Sequence, residues 1–123
     1  MYIQNKVYLC SMYSSELIKG TLKTIILKLL SENGKMYGYE ITQKVKDLTD
    51  GKILLTEGAL YPTLHALEDD GILTTNAVNV GNRIRKYYTV TKSGKKMARE
   101  KVNEYQDFMN TMIFLLDLKP NAG

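Results

Sequence analysis

Arg83, Arg85 and Lys86, followed by Lys92, Lys95, Lys96, Arg99 and Lys101, make the strongest charge segregation in the chain, with Glu100 the lone acid among them. A solvated helix face usually mixes its signs, so a run of one sign points to a polyanionic partner. The acids gather elsewhere, notably Glu68, Asp69 and Asp70, adjacent residues that fan around a helix rather than converge on a substrate. His65 is the only histidine and has no cysteine or paired acid near it in sequence for a metal site. The glycines are scattered at turns and helix ends, and none forms a phosphate-cradling loop. These residues exclude a catalytic constellation, so the chain reads as a binding protein, not an enzyme, without metal or cofactor.

In TEGALYPTLHALEDDGIL, Leu60, Leu64 and Leu67 recur at helical spacing, so one side of a helix over 57–70 faces a core. Thr56 is placed to cap it and Gly71 to end it. Pro62 predicts a distorted first turn, because it removes a donor opposite the Gly58 carbonyl. The following stretch, 72–91, reads as a hairpin turning near Val80-Gly81-Asn82. On its second strand Ile84, Tyr88 and Val90 share one face, and Arg83 and Arg85 the other. A partly buried helix beside a cation-tipped ribbon is how a winged helix addresses duplex DNA: helix in the major groove, wing on the adjoining backbone.

Upstream, 16–33 is an amphipathic helix with Ile18, Leu22, Ile25, Ile26, Leu29 and Leu30 on one face, capped by Ser14 or Ser15 and stopped at Asn33-Gly34. Gly20 inside it suggests a close helix–helix contact. A second helix covers about 38–48, with Ile41, Val45 and Leu48 inward and Gln43, Lys44 and Lys46 outward. Asp50-Gly51 is a turn, and Ile53-Leu54-Leu55 is expected to add a short strand beside the wing. Residues 1–15, with Tyr2, Ile3, Val7, Leu9 and Met12 or Tyr13 loosely at helical spacing, read as a short helix at a subunit interface.

Thr91 starts a last helix, 92–117, before a tail of 118–123. Ala98, Val102, Tyr105, Met109, Met112 and Leu116 alternate spacings of four and three, a heptad seam that Phe108 and Leu115 widen. In a chain of 123 residues this seam has little core of its own to face, so it predicts a homodimer; packing on the first helix is the alternative. The chain has 44% hydrophobic residues and a net charge of +4, with no long apolar run at its start. The single cysteine, Cys10, reads as a small buried hydrophobe and permits no intrachain disulfide. Together these suggest a cytoplasmic protein with no membrane partner.

Four motifs in order carry a family resemblance: Glu16-Leu17-Ile18-Lys19-Gly20-Thr21-Leu22; Met36-Tyr37-Gly38-Tyr39-Glu40-Ile41; Glu57-Gly58-Ala59-Leu60-Tyr61-Pro62 with Leu64-His65-Ala66-Leu67-Glu68; and Arg85-Lys86-Tyr87-Tyr88 with Thr91 and Gly94. Over about 16–96 the sequence resembles the PadR family of transcriptional regulators. The resemblance implies a dimeric winged helix-turn-helix repressor with a C-terminal dimerisation helix, similar to the family's short-tailed subgroup. It puts Tyr39 near the DNA backbone, where a phenol donates to a phosphate, or else packing helix 38–48 on the wing; Tyr37 reads as core. Tyr61 and Thr63 lie away from the leucine face, in the half of the helix that meets DNA. We also expect DNA contacts from Lys44, Thr56, Gly58, Ala59 and His65, and from Arg83, Arg85 and Lys86, the last weakened by sharing a face with Ile84 and Tyr88. Some relatives sense planar drugs between paired tryptophans; this chain has no Trp, and the corresponding position holds Tyr105, a candidate contact for a small aromatic effector.

The expected fold is thus mainly α with a small β-hairpin wing: a winged helix-turn-helix over 16–91, flanked by N- and C-terminal helices that form a dimer interface. The expected partners are a pseudo-palindromic double-stranded operator and a second copy of the chain. The rival reading is a winged-helix module that binds protein without DNA.

Overall fold

Seven elements follow one another in a computed structural model that describes residues 11–119: α1 (Ser15–Asn33), β1 (Lys35–Tyr37), α2 (Gly38–Leu48), α3 (Glu57–Asp69), β2 (Leu73–Val80), β3 (Arg83–Val90) and α4 (Lys92–Leu115). Each helix starts where the sequence offers a cap. The Ser14 hydroxyl accepts from the Leu17 amide at 3.3 Å, the Thr56 hydroxyl from Ala59 at 3.2 Å and the Thr91 hydroxyl from Gly94 at 3.1 Å. In α2 the cap is reversed: the Glu40 carboxylate reaches back to accept from the Tyr37 amide at 3.0 Å. Gly34 and Gly71 stop α1 and α3 with φ of 80° and 76°.

The core is one cluster. Ile18, Leu22, Ile26, Leu27, Leu29 and Leu30 of α1 meet Ile41 and Val45 of α2, Leu60, Leu64 and Leu67 of α3, and the inner face of the sheet, Met36, Leu73, Tyr88 and Val90. Leu27, absent from the predicted face, is fully buried, because α1 is covered on two sides, by the sheet and α3 and by α4. Ile25 is only half-buried against the same cluster. Leu48, expected inward, is 67% exposed: α2 ends there and the chain turns away through Asp50 and Gly51.

The sheet is antiparallel, in the order β1-β3-β2. Its third strand is Lys35–Tyr37, paired as Lys35↔Thr89 and Tyr37↔Tyr87, and not Ile53–Leu55, which forms no strand. The loop 52–55 spends its hydrogen bonds elsewhere. The Met12 amide donates to the Lys52 carbonyl at 2.9 Å, and the Ser11 hydroxyl both donates to the Leu54 carbonyl (2.9 Å) and accepts from the Leu54 amide (2.7 Å). Ser11 to Ser14 are therefore not helical, contrary to the reading of 1–15; the rest of that proposed helix, with Cys10, lies outside the described residues. Gly20 makes no close contact either, since a Cβ there would meet nothing within 4 Å.

The α3–β2 junction and the start of α4 are welded at one carbonyl. Ile72 O accepts from the Thr91 amide (3.0 Å) and from the Thr91 hydroxyl (3.0 Å), which also reaches Gly71 O (2.9 Å). Gly94 packs directly on this carbonyl, and a Cβ there would collide with it. This junction fixes the direction in which α4 leaves the wing. Along α4, Ala98 is buried against α1 and Val102 half-buried, whereas Tyr105, Phe108, Met109, Leu115 and Leu116 stay exposed.

Candidate nucleic-acid interface

The leucine stripe settles how α3 is turned. With Leu60 and Leu64 fully buried and Leu67 nearly so, the opposite side presents Gly58, Pro62, His65, Ala66 and Asp69 to solvent. Tyr61 and Thr63 flank the core instead of opposing it, and both are half-buried. Thr63 turns its hydroxyl back to the Ala59 carbonyl at 3.1 Å. The Tyr61 ring packs on the core and lies across the start of α2, where a Cβ on Gly38 would come within 2.7 Å of Tyr61 Cζ and closer still to its hydroxyl. Gly38 is thus a glycine because a phenol needs its space. Pro62 sits inside an unbroken helix. Of the residues on the outer side, only His65 can donate a hydrogen bond from its side chain, and its ring lies 6.2 Å from that of Tyr61.

On the wing, Gly81 and Asn82 form a two-residue turn, and the φ of 63° at Gly81 is what a II′ hairpin asks of its first position. Alternation then sends Arg83, Arg85 and Tyr87 to the outer face of β3 and Ile84, Lys86, Tyr88 and Val90 to the inner. Ile84 lies beyond the core and is 72% exposed. Arg85 is held in place: its guanidinium stacks 4.0 Å from the centre of the Tyr37 ring, and Tyr37 meets Tyr87 edge-on at 5.4 Å. The Tyr87 hydroxyl in turn keeps the Arg85 pKa above its ordinary value. Tyr37 is therefore not a core residue; its ring is the platform under a cation. Lys35 caps the other side of this group, 5.1 Å from the Tyr87 ring.

Lys86 is differently engaged. It points to the other face of the wing, 5.5 Å from the Tyr88 ring and 3.3 Å from the Glu68 carboxylate, which also accepts from the Thr75 hydroxyl at 2.9 Å. Glu68 thereby ties the C-terminal half of α3 to both strands of the wing. The Thr75 hydrogen bond, then Lys86, lower its pKa. A depressed carboxylate contributes stability above the unfolded-state value and loses it as pH falls through the folded one. Glu68→Gln should accordingly lower the melting temperature slightly at neutral pH, and the gap to the wild type should close as the buffer is taken below about pH 4; a gap independent of pH would mean that the latch is not ionic.

The start of α2, the Tyr61 flank of α3 and the wing frame a groove lined by Tyr37, Tyr39, Tyr61, Arg83, Ile84, Arg85 and Lys86. Tyr39 is 62% exposed at the start of α2. Thr56, Gly58 and Ala59 open the N-terminal end of α3, and Lys44 is exposed on α2. The predicted residues Tyr39, Tyr61, Arg83 and Arg85 thus share one surface, and Lys86 reaches its edge while anchored to Glu68. Sequence reasoning missed the Tyr37 platform, the Glu68 latch and the packing role of Gly38. The signal for the last was present in a glycine set between two tyrosines.

Residues 26–100 match the model of the transcriptional regulator PadR-like family. The chain belongs to that family. The PadR-like chain is 35% identical over 98 residues to a protein X of Lysinibacillus sphaericus, covering 78% of this chain and 88% of that one. It is 32% identical over 92 residues to the negative transcriptional regulator PadR of Bacillus subtilis, covering 74% of this chain but spanning only half of that regulator's length. The solved structure of a transcriptional regulator from Clostridium thermocellum is similar with a TM-score of 0.73 and 33% identity, over 81% of this chain and 94% of that one. The B. subtilis PadR in complex with operator DNA is similar with a TM-score of 0.61 and 32% identity, over 67% of this chain and 46% of that one. The fold is the winged helix of these regulators, mostly helical with a three-stranded antiparallel sheet. Among the described residues, no helix is long and apolar enough to cross a membrane, and no group of His, Cys, Asp or Glu converges on a metal position.

Proposed function

We propose that this chain binds a pseudo-palindromic DNA operator as a homodimer and represses transcription in the cytoplasm. The observation that carries the DNA reading is the groove shared by Tyr39 at the start of α2, Tyr61 of α3 and the wing, with Arg85 held on the Tyr37 ring beside Arg83. A pre-oriented guanidinium loses little rotamer freedom when it meets a phosphate. On α3 we assign base contacts to His65, with Pro62 and Ala66 as apolar neighbours suited to a thymine methyl, and a secondary role to Thr63. Thr56, Gly58 and Ala59 bring the helix N-terminus and its amides to the backbone, with Tyr39 and Lys44 alongside. The likeness to a PadR solved with operator DNA supports the same reading.

Salt dependence tests it. Arg83→Ala should weaken specific and random duplexes about equally and lower the slope of log K against log salt by roughly one. An unchanged slope in a folded variant would return Arg83 to the solvated surface and favour a protein-binding winged helix.

The dimer reading rests on α4. Tyr105, Phe108, Met109, Leu115 and Leu116 expose a continuous apolar flank, and Phe114 beyond it is 89% exposed; Ala98 is already buried against α1 of the same chain. A patch of this kind on one helix is a subunit contact more often than free surface. Tyr105 also lines a groove of about 590 Å³ with Leu17, Gly20, Thr21 and Phe108. We assign that groove to a second subunit in preference to an aromatic effector. Met109→Glu should then shift the chain from dimer to monomer at micromolar concentration, as read by sedimentation equilibrium. A wild-type chain that sediments as a monomer would sink the proposal.

A further inference from the structure

Of the cations that segregate in the sequence, Lys92, Lys95, Lys96, Arg99 and Lys101 sit on α4, and none of them lines the α3–wing groove. Lys95 and Arg99 instead line a separate cavity of about 370 Å³ between α4 and the last turns of α1, opposite Lys28, Ser31 and Glu32. The Ser31 hydroxyl oxygen is buried and has no hydrogen-bond partner among the described residues. That oxygen presents no accessible surface to the cavity, so it takes no part in what the cavity holds. Across the mouth, Lys28 and Glu32 neutralise each other in an ion pair of 2.8 Å. Neither Lys95 nor Arg99 has a carboxylate within ion-pair distance among the described residues, so the cavity carries two uncompensated positive charges.

We infer that this cavity binds a phosphate dianion, as free phosphate or as the head of a small phosphomonoester. A phosphomonoester matches the two charges, since its second proton leaves at about pH 6, whereas a carboxylate would leave one cation uncompensated. A guanidinium pairs with two phosphate oxygens at once and an ammonium serves as a point charge, which are the roles open to Arg99 and Lys95. Asn103 supplies a neutral donor, and half-buried Val102 gives the carbon part of an ester an apolar wall. The volume falls at the lower end of the range for small-molecule sites. The site is independent of how α3 meets DNA.

The test is calorimetric titration of the full chain with inorganic phosphate and with glycerol 3-phosphate, ionic strength being held constant with chloride. Saturable binding is expected, tighter for the ester if the apolar wall is used and tighter for phosphate if the free anion is the ligand. Arg99→Gln and Lys95→Gln should each weaken it about tenfold, the loss of one charge-assisted hydrogen bond. Ser31→Ala should leave the affinity unchanged while raising the melting temperature of the phosphate-free protein, because its hydroxyl is buried and unpaired. Absence of saturable heat above the chloride control overturns the inference, as does an affinity that survives Arg99→Gln. It is equally overturned if Arg99→Gln in phosphate-free buffer weakens DNA binding as much as Arg83→Ala does, because Arg99 would then belong to the DNA footprint.

Discussion

Leu64→Ala should cost about 2–5 kcal/mol of stability, whereas His65→Ala, one residue on, should leave the melting temperature nearly unchanged. Leu64 has no exposed surface and contacts the cluster that joins α1, α2, α3 and the sheet, so truncating it leaves a cavity that neighbours close only in part. His65 stands about 100° further round the helix, in solvent, and its loss removes no packing. Its effect belongs on DNA. If it reads a base edge, His65→Ala should cost about 1–3 kcal/mol on a duplex selected from a random library and little on a scrambled one. Two binding curves beside a thermal melt separate these outcomes. Equal weakening on both duplexes would reduce His65 to a backbone contact, and a melt lowered as far as that of Leu64→Ala would mean that α3 is turned differently.

Gly94→Ala is expected to be the most damaging of the glycine changes, at about 1–3 kcal/mol, even though alanine is the better helix former by up to about 1 kcal/mol. The added methyl meets the Ile72 carbonyl, and a backbone atom already bonded twice to Thr91 cannot step aside as a side-chain tip would. Gly20→Ala is the internal control. Its methyl enters open space, so the single chain should gain up to about 1 kcal/mol. Denaturant titration of both variants checks the sign. Should the two behave alike, propensity and not the Ile72 contact would govern Gly94. A Gly20→Ala variant that melts higher but dimerises less would place Gly20 beneath the second subunit.

The elements legible in the sequence were those with a long period or a strong cap. The leucines of α3 and the apolar stripe of α1 announced their buried faces over three turns or more, and Ser14, Thr56 and Thr91 announced the starts. The short strand escaped because three residues, Lys35–Tyr37, carry no readable alternation, while Ile53-Leu54-Leu55 has the composition of a strand but is bridged by Ser11 from 43 positions away. Within the site, the cations were visible as charge, yet charge alone does not distinguish Arg85 on its aromatic platform from Lys86 bound to Glu68. That difference depends on strand parity and on which element lies across each face. Tyr61 was misjudged for a related reason: its place at the edge of the leucine stripe is a matter of some 60–100° of helix rotation, a margin that a count of threes and fours does not resolve.

The wing has a further property that follows from its pairing. β1 covers only Tyr87 to Thr89, so the outer halves of β2 and β3 form a two-stranded ribbon with both lateral edges unsatisfied. Leu73-Thr74-Thr75-Asn76-Ala77-Val78-Asn79-Val80 contains no charged residue at all, a composition that invites strand-to-strand zippering between molecules. Arg83, Arg85 and Lys86 are the only charges on the ribbon, so they act as gatekeepers against aggregation in addition to any contact they make with a ligand. Removing two of them together should make the protein insoluble before its affinity could be measured, and selection on these positions therefore answers to solubility as well as to recognition.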